Sequence, residues 1–189
     1  MIELHDALSS LRRVRRDDDV VIATMAAAKI WMELGAHPLD FIFVPSSMGH
    51  ATSFGLGIAL AQPKRKVIVC NGDGSMLMNL GSLVTIAAAS PANLVVIVLD
   101  NGVYEVTGAQ PVPGRADFAA MARASGFTSV HHFSQLDDWQ THVERVLDST
   151  GPALVVLDIQ PVPGRAGPKS PGPAAERAQR FMRALAAQR

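Results

Sequence analysis

Two short segments of this chain combine hard oxygen donors with glycine. An apolar run, Val67-Ile68-Val69-Cys70, ends in Asn71-Gly72-Asp73-Gly74-Ser75, and a second, Leu94 to Leu99, ends in Asp100-Asn101-Gly102. Asp73 offers a carboxylate. Asn101 offers an amide oxygen that binds a hard cation without adding charge. Such donors suit Mg²⁺, which takes few protein ligands and completes its shell with water and substrate phosphates. A helix opening at Ser75 would point free N–H groups at the same place, which favours an anion there. A divalent ion beside an anion-binding helix start describes a diphosphate site.

The elements that must position these residues follow from the hydrophobic pattern. Strands are expected near Val20–Ala23, Phe41–Val44, Val67–Cys70, Leu94–Leu99, Thr128–His131 and Ala153–Ile159. Helices are expected near Glu3–Val14, Met25–Leu34, Gly49–Ala61, Ser75–Ala89, Asp117–Ser125, Gln135–Asp148 and Ala174–Ala187. Short, continuously apolar strands alternating with helices predict a doubly wound α/β fold, with a mostly parallel six-stranded sheet covered on both faces. Ligands in such sheets bind beyond the carboxyl ends of the strands. The loops after Val44, Cys70 and Leu99 are therefore the expected site. The expected organisation is an N-terminal helix with a basic/acidic junction (1–17), a binding domain (18–160), and a Pro/Gly-rich connector with a last amphipathic helix (161–189).

Gly-Asp-Gly-Ser, a helix, a strand and then Asn on a tight turn resembles the cofactor signature of thiamine diphosphate enzymes. The resemblance implies metal ligands at Asp73, Asn101 and the carbonyl of Val103, and further cofactor-binding positions at Gly72, Gly74, Ser75 and Tyr104. The family usually has Asn-Asn where this chain has Asp100-Asn101, but the ligand is the second residue of the pair. In Pro45-Ser46-Ser47-Met48-Gly49-His50, Met48 matches the bulky apolar residue that wedges the cofactor into its bent shape, with Gly49 beside it. Ser46 and Ser47 stand where the family often has Gly-Ser, and the Ser46 carbonyl is implied to hold the pyrimidine amino group. His50 is a candidate to touch a substrate carboxylate or relay a proton, or else is a polar helix-start residue exposed to solvent.

The resemblance is closest to the β subunit of sulfopyruvate decarboxylase and the matching half of phosphonopyruvate decarboxylase. It rests on Ser47–Ala51, on Gly72–Leu83 and on Asn101–Pro111, within roughly residues 18–160. It implies thiamine diphosphate and Mg²⁺ as cofactors and a small 2-oxo acid as substrate, with the cofactor as the electron sink for carbanion chemistry. It also implies a PYR-type α subunit supplying the glutamate that activates the pyrimidine. Glu3, Glu33, Glu105, Glu144 and Glu176 are poor candidates for that glutamate, so the expectation is a lone diphosphate-binding half in a dimer or higher oligomer. An acetolactate-type ligase on the same cofactor and a non-catalytic nucleotide-binding α/β module stay open as alternatives.

Composition narrows the rest. The chain has 189 residues, 48% hydrophobic and 18% charged, enough for one substantial core. Its formal net charge is zero, so no broad field recruits nucleic acid or an anionic membrane. One cysteine, Cys70, allows no intrachain disulfide and fits a reducing cytoplasm. The N-terminus has no signal-type apolar core, and no apolar run reaches membrane-spanning length. Arg12-Arg13 and Arg15-Arg16 precede Asp17-Asp18-Asp19 and are expected to be a solvated, locally compensated helix end. Trp31 and Trp139 are expected to pack. Tyr104 and Glu105 could line the substrate channel, although a packing role suits a turn-flanking aromatic, and Arg115 could clamp an anionic tail, although a solvated loop arginine is the plainer reading. The pentapeptide Pro-Val-Pro-Gly-Arg occurs at 111–115 and 161–165 without defining a repeat.

Overall fold

The computed structural model describes residues 1–44, 48–114, 116–162, 164 and 166–187. Ser46, Ser47 and Arg115 lie outside the described residues. Six strands form the main sheet: β1 (Val20–Thr24), β2 (Asp40–Phe43), β3 (Val67–Gly72), β4 (Leu94–Asp100), β7 (Ser129–Phe133) and β8 (Ala153–Asp158). Their order is β2-β1-β3-β4-β8-β7, and every neighbouring pair is parallel. The chain leaves β1 toward β2, then crosses back to place β3 on the other side of β1. The crevice at the carboxyl ends of β1 and β3 is thus the topological switch point, where such sheets bind ligands.

Alternation along the buried strands splits the core in two. Val21, Ala23, Ile68, Cys70, Ile97 and Val155 face one side, and Val20, Ile22, Val69, Val96, Val98 and Val156 the other. The first face is covered by α1 (Leu4–Val14), α2 (Met25–Glu33) and α7 (Leu136–Asp148). The second is covered by α3 (Ala51–Ala61), α5 (Gly81–Ala89), α6 (Phe118–Ser125) and α8 (Ala174–Ala187). Both tryptophans are fully buried, and Trp139 Nε1 donates to the Ala7 carbonyl at 3.0 Å, tying α7 to α1. Both chain ends join this body. Leu4, Leu8 and Leu11 sit in the first core, and Phe181 and Leu185 of α8 in the second.

Three local features depart from the sequence expectation. The helix expected over Ser75–Ala89 is two: α4 (Asp73–Leu77), which already includes Asp73, and α5, which starts at Gly81. Asn79 makes the break useful, since its Nδ2 donates to the Gly49 carbonyl at 2.9 Å while its own carbonyl accepts from the Ser82 hydroxyl at 2.8 Å. Beyond β4 the chain forms a small antiparallel ribbon of β5 (Val103–Tyr104) and β6 (Gln110–Pro111), joined by a 3₁₀ turn over Glu105–Thr107. The basic N-terminal cluster is not wholly solvated. Arg15 is buried and its guanidinium meets Asp40 at 2.7 Å, while Arg12 reaches the same carboxylate at 3.2 Å and lies 5.4 Å from the centre of the Trp31 ring. The partner comes from the start of β2, which only the fold brings beside α1. Arg16 behaves more nearly as expected, pairing at the surface with Asp148 at 2.5 Å.

Candidate functional site

A cleft opens at the switch point. It is lined by Thr24, Met25 and Ala26 from the end of β1, by Met48, by Gly72 to Ser75, and by Asn101 and Val103 to Thr107. The two sequence segments meet through one carboxylate. Asp73 accepts from its neighbour Gly74 N–H at 2.7 Å with Oδ1 and from Gly102 N–H at 2.7 Å with Oδ2. The loop after β3 is thereby fastened to the loop after β4. Gly102 adopts φ +71°, a left-handed conformation that glycine takes without strain. Asn101 Oδ1 accepts from Val103 N–H at 3.1 Å, an Asx-type turn that orients its amide.

Electrostatics single out the same pair of loops. Asp73 is only 3% exposed. Burial pushes its pKa up to about 7, the nearby Asp100 charge adds to the rise, and the Gly74 and Gly102 N–H groups oppose it. Asp100 also rises, chiefly through burial. Asp158 is the register partner of Asp100 on β8 and is met by His132 Nε2 at 2.6 Å. One buried carboxylate thus faces the cleft with a second, Asp100, close behind it, an arrangement that a cation relieves.

The Met48 turn is pinned from below. Gly49 takes φ +88° and its N–H donates to Ser75 Oγ at 2.9 Å; its carbonyl is the one held by Asn79. A Cβ on Gly49 would come within 3.0 Å of the Asn79 Cβ. Ser75 therefore anchors the turn carrying Met48 rather than heading a long helix. α4 has five residues, too few for the sustained helix that the sequence suggested as an anion seat. Tyr104 packs its ring over Gly74, where an added Cβ would lie 2.5 Å from the ring edge.

A family model for the thiamine pyrophosphate enzyme, C-terminal TPP binding domain, matches residues 19–157, most of the chain. The chain belongs to this family. The thiamine pyrophosphate enzyme fold is also that of an X-ray structure of a candidate thiamin diphosphate-dependent enzyme from Mycobacterium smegmatis. That match has a TM-score of 0.72 at 22% identity, over 85% of this chain and 32% of that one. A phosphonopyruvate decarboxylase of Streptomyces viridochromogenes is 41% identical over 176 residues, 91% of this chain and 44% of its own. A sulfopyruvate decarboxylase subunit beta of Methanothermobacter thermautotrophicus is 36% identical over 162 residues, 85% of this chain and 84% of its own. The chain spans less than half the length of the Streptomyces relative.

For this TPP-binding domain, the structure brings Met48, Gly72, Asp73, Gly74, Ser75, Asn101, Val103 and Tyr104 to one cleft. Gly49 sits just behind it. His50 is exposed at the start of α3 and does not line the cleft. Sequence reasoning missed the β1 contribution. Met25 adopts φ +53°, uncommon for a non-glycine residue, at the cleft wall. The available signal was Val20–Ala23 as the first strand of a doubly wound sheet, whose carboxyl end borders the switch point. Glu105 lines the cleft at 7% exposure, and its Oε1 accepts from Val162 N–H at 2.7 Å, clipping the C-terminal connector beside the site.

Proposed function

We propose that this chain is the thiamine diphosphate- and Mg²⁺-binding half of a 2-oxo acid decarboxylase, completed by a PYR-type α subunit that brings the activating glutamate. The observation that carries the reading is the Asp73 clasp: one buried carboxylate joins the loops that present Asn101 and Val103, with Asp100 beside it. Among the described residues no three His, Cys, Asp or Glu side chains gather as a metal site. An all-oxygen set of one carboxylate, one amide and a backbone carbonyl nevertheless fits Mg²⁺, whose remaining ligands come from water and a diphosphate. Asp73, Asn101 and the Val103 carbonyl would hold the metal, and Gly72 to Ser75 would border the diphosphate. Met48, on its pinned turn, would support the bend of the cofactor, a task suited to an adaptable thioether. When bound, thiamine diphosphate supplies an electron sink for the carbanion left by loss of CO₂.

Two features support a missing half. The cleft encloses about 50 Å³, whereas small-molecule sites run to about 300–1,000 Å³. In addition, α3 and α5 carry no charged residue, yet Leu60 and Val84 are 56% and 60% exposed, with Met78 between the elements at 57%. Helices apolar all round are normally buried, so this flank suits a partner subunit. The resemblance to a relative named subunit beta supports the same arrangement. No helix among the described residues is long and apolar enough to cross a membrane, and the free, buried Cys70 suits a reducing cytoplasm.

Calorimetry with thiamine diphosphate and Mg²⁺ tests the site: wild type should bind weakly, and Asp73→Ala should lose the Mg²⁺-dependent part. CO₂ release from 2-oxo acids, including sulfonate- and phosphonate-bearing ones, tests the reaction. The chain alone should be inactive, and a glutamate-bearing partner should restore turnover, since general acid–base participation is worth about 10²–10⁴-fold. Acyloin product in place of aldehyde would instead identify a ligase. Robust turnover by the highly purified chain alone would overturn the half-site.

A further inference from the structure

A cavity of about 650 Å³ lies away from the cofactor cleft, between the turn joining α2 to β2 and helix α8. Its apolar wall includes Met32, Ile42 and the Phe41–Phe181 pair, whose ring centres are 5.1 Å apart. Two arginines, Arg177 and Arg180, stand on its other wall. Arg177 is 8% exposed and spends its charge on backbone oxygen: Nη1 donates to the Ile42 carbonyl at 2.5 Å, Nε to the Gly172 carbonyl at 3.1 Å, and Nη2 to the Val44 carbonyl. These bonds hold the carbonyls at the end of β2, the edge strand, where the Ile42 carbonyl also accepts from Val44 N–H at 3.0 Å. They leave guanidinium N–H donors over, because a guanidinium carries more donors than three bonds use.

The charges here are not balanced. Among the described residues neither arginine forms an ion pair. The carboxylate lining the cavity, Asp40, is already held by Arg12 and Arg15. Burial, and then the neighbouring charge of Arg180, both disfavour the cationic form of Arg177. Arg177 is thus a nearly buried cation with a second positive charge, the exposed Arg180, at the cavity rim, an arrangement that an anion between them would relieve.

We propose that this cavity is a second ligand site, for a small organic anion with an apolar or aromatic body, whose carboxylate or phosphate lies between Arg177 and Arg180. The body would rest on Phe41, Phe181 and Met32. A planar guanidinium suits either anion through paired hydrogen bonds. The anion would also bond the guanidinium that fixes the end of β2.

The test is calorimetric titration of the full chain with phenyl phosphate, phenylacetate, inorganic phosphate and benzyl alcohol, with methyl-labelled methionine spectra recorded in parallel. At least one aromatic anion should bind with sub-millimolar affinity and more tightly than inorganic phosphate or the neutral alcohol. Which anion wins distinguishes a phosphate ligand from a carboxylate ligand. Binding should shift the Met32 methyl and leave Met48 unmoved. Arg180→Glu, at an exposed position, should keep the melting temperature and weaken binding about tenfold or more. Asp73→Asn should leave this binding unchanged, which separates it from the cofactor site. Absence of binding by both aromatic anions at millimolar concentration, unaltered affinity in Arg180→Glu, or a shift at Met48 without one at Met32 would each overturn the proposal.

Discussion

Gly55→Ala offers a direct test of how α3 is seated and what it positions. The helix crosses β3 so closely that a Cβ on Gly55 would lie 2.3 Å from Val69 Cγ2, with Ile22 Cδ1 at 3.6 Å and Leu94 Cδ1 at 3.7 Å. Carbon atoms in contact sit about 3.5–4.0 Å apart, so something must move by more than about 1 Å. Val69 has little room to yield, because β3 is hydrogen-bonded between β1 and β4 and a β-branched side chain is stiff. The helix must rise instead. Overpacking of this kind costs about 1–3 kcal/mol. At about 2–4 °C per kcal/mol for a domain of this size, the melting temperature should fall by roughly 2–12 °C. Gly57 provides the control on the same helix. Nothing lies within 4 Å of its added Cβ, so Gly57→Ala should gain about 0.5–1 kcal/mol from helix propensity alone. In a Val69→Ala background the clash disappears, and Gly55→Ala should cost almost nothing, a coupling of about 1–3 kcal/mol. Because α3 begins just after the Met48–Gly49 turn, Gly55→Ala should also weaken thiamine diphosphate binding. Calorimetric melting of the four variants measures the first effect and titration the second. A Gly55→Ala protein that melts at or above the wild-type temperature would refute the reasoning.

Three further outcomes follow from particular contacts. Asp40→Asn should destabilise by up to about 3–5 kcal/mol in urea unfolding with an unchanged m-value, since it removes the carboxylate that Arg15 and Arg12 share and leaves Asp19 as the remaining nearby counter-charge of Arg15; a change below about 1 kcal/mol would count against a structural ion cluster. Burial lifts the Cys70 thiol from 9.0 to about 12. The unfolded chain therefore releases this proton first, and stability should be intact below pH 9 and fall as pH rises toward 12, a slope that Cys70→Ala should flatten and that native-state resistance to alkylation at pH 9 should accompany. Gly74→Ala should drive the Tyr104 ring from its seat, only 2.5 Å from the added Cβ, and weaken cofactor binding in titrations more than it lowers the melting temperature.

The class of fold was legible in the chain because strands buried on both faces need no alternation. Val67–Cys70 and Leu94–Leu99 read as unbroken apolar runs, and helices separate them. The oxygen donors at the ends of those runs were legible for the same reason: Asp73 and Asn101 follow their strands directly, so the order of a parallel sheet carries both to one edge. What only the tertiary structure decided depends on partners distant in the chain. Asn79 breaks the helix after Leu77 because its amide finds the Gly49 carbonyl, thirty residues earlier. Arg15 is buried rather than solvated because β2 brings Asp40 alongside α1. Met25 and Thr24 reach the cleft because β3 is laid next to β1, a neighbourhood that local pattern does not encode. Arg177, in a helix whose sequence shows only an apolar stripe, covers the carbonyls of an edge strand more than 130 residues away. Hydrophobic periodicity is local and short-ranged, whereas charge pairing and hydrogen bonding across elements wait until the sheet has fixed which strand ends lie together.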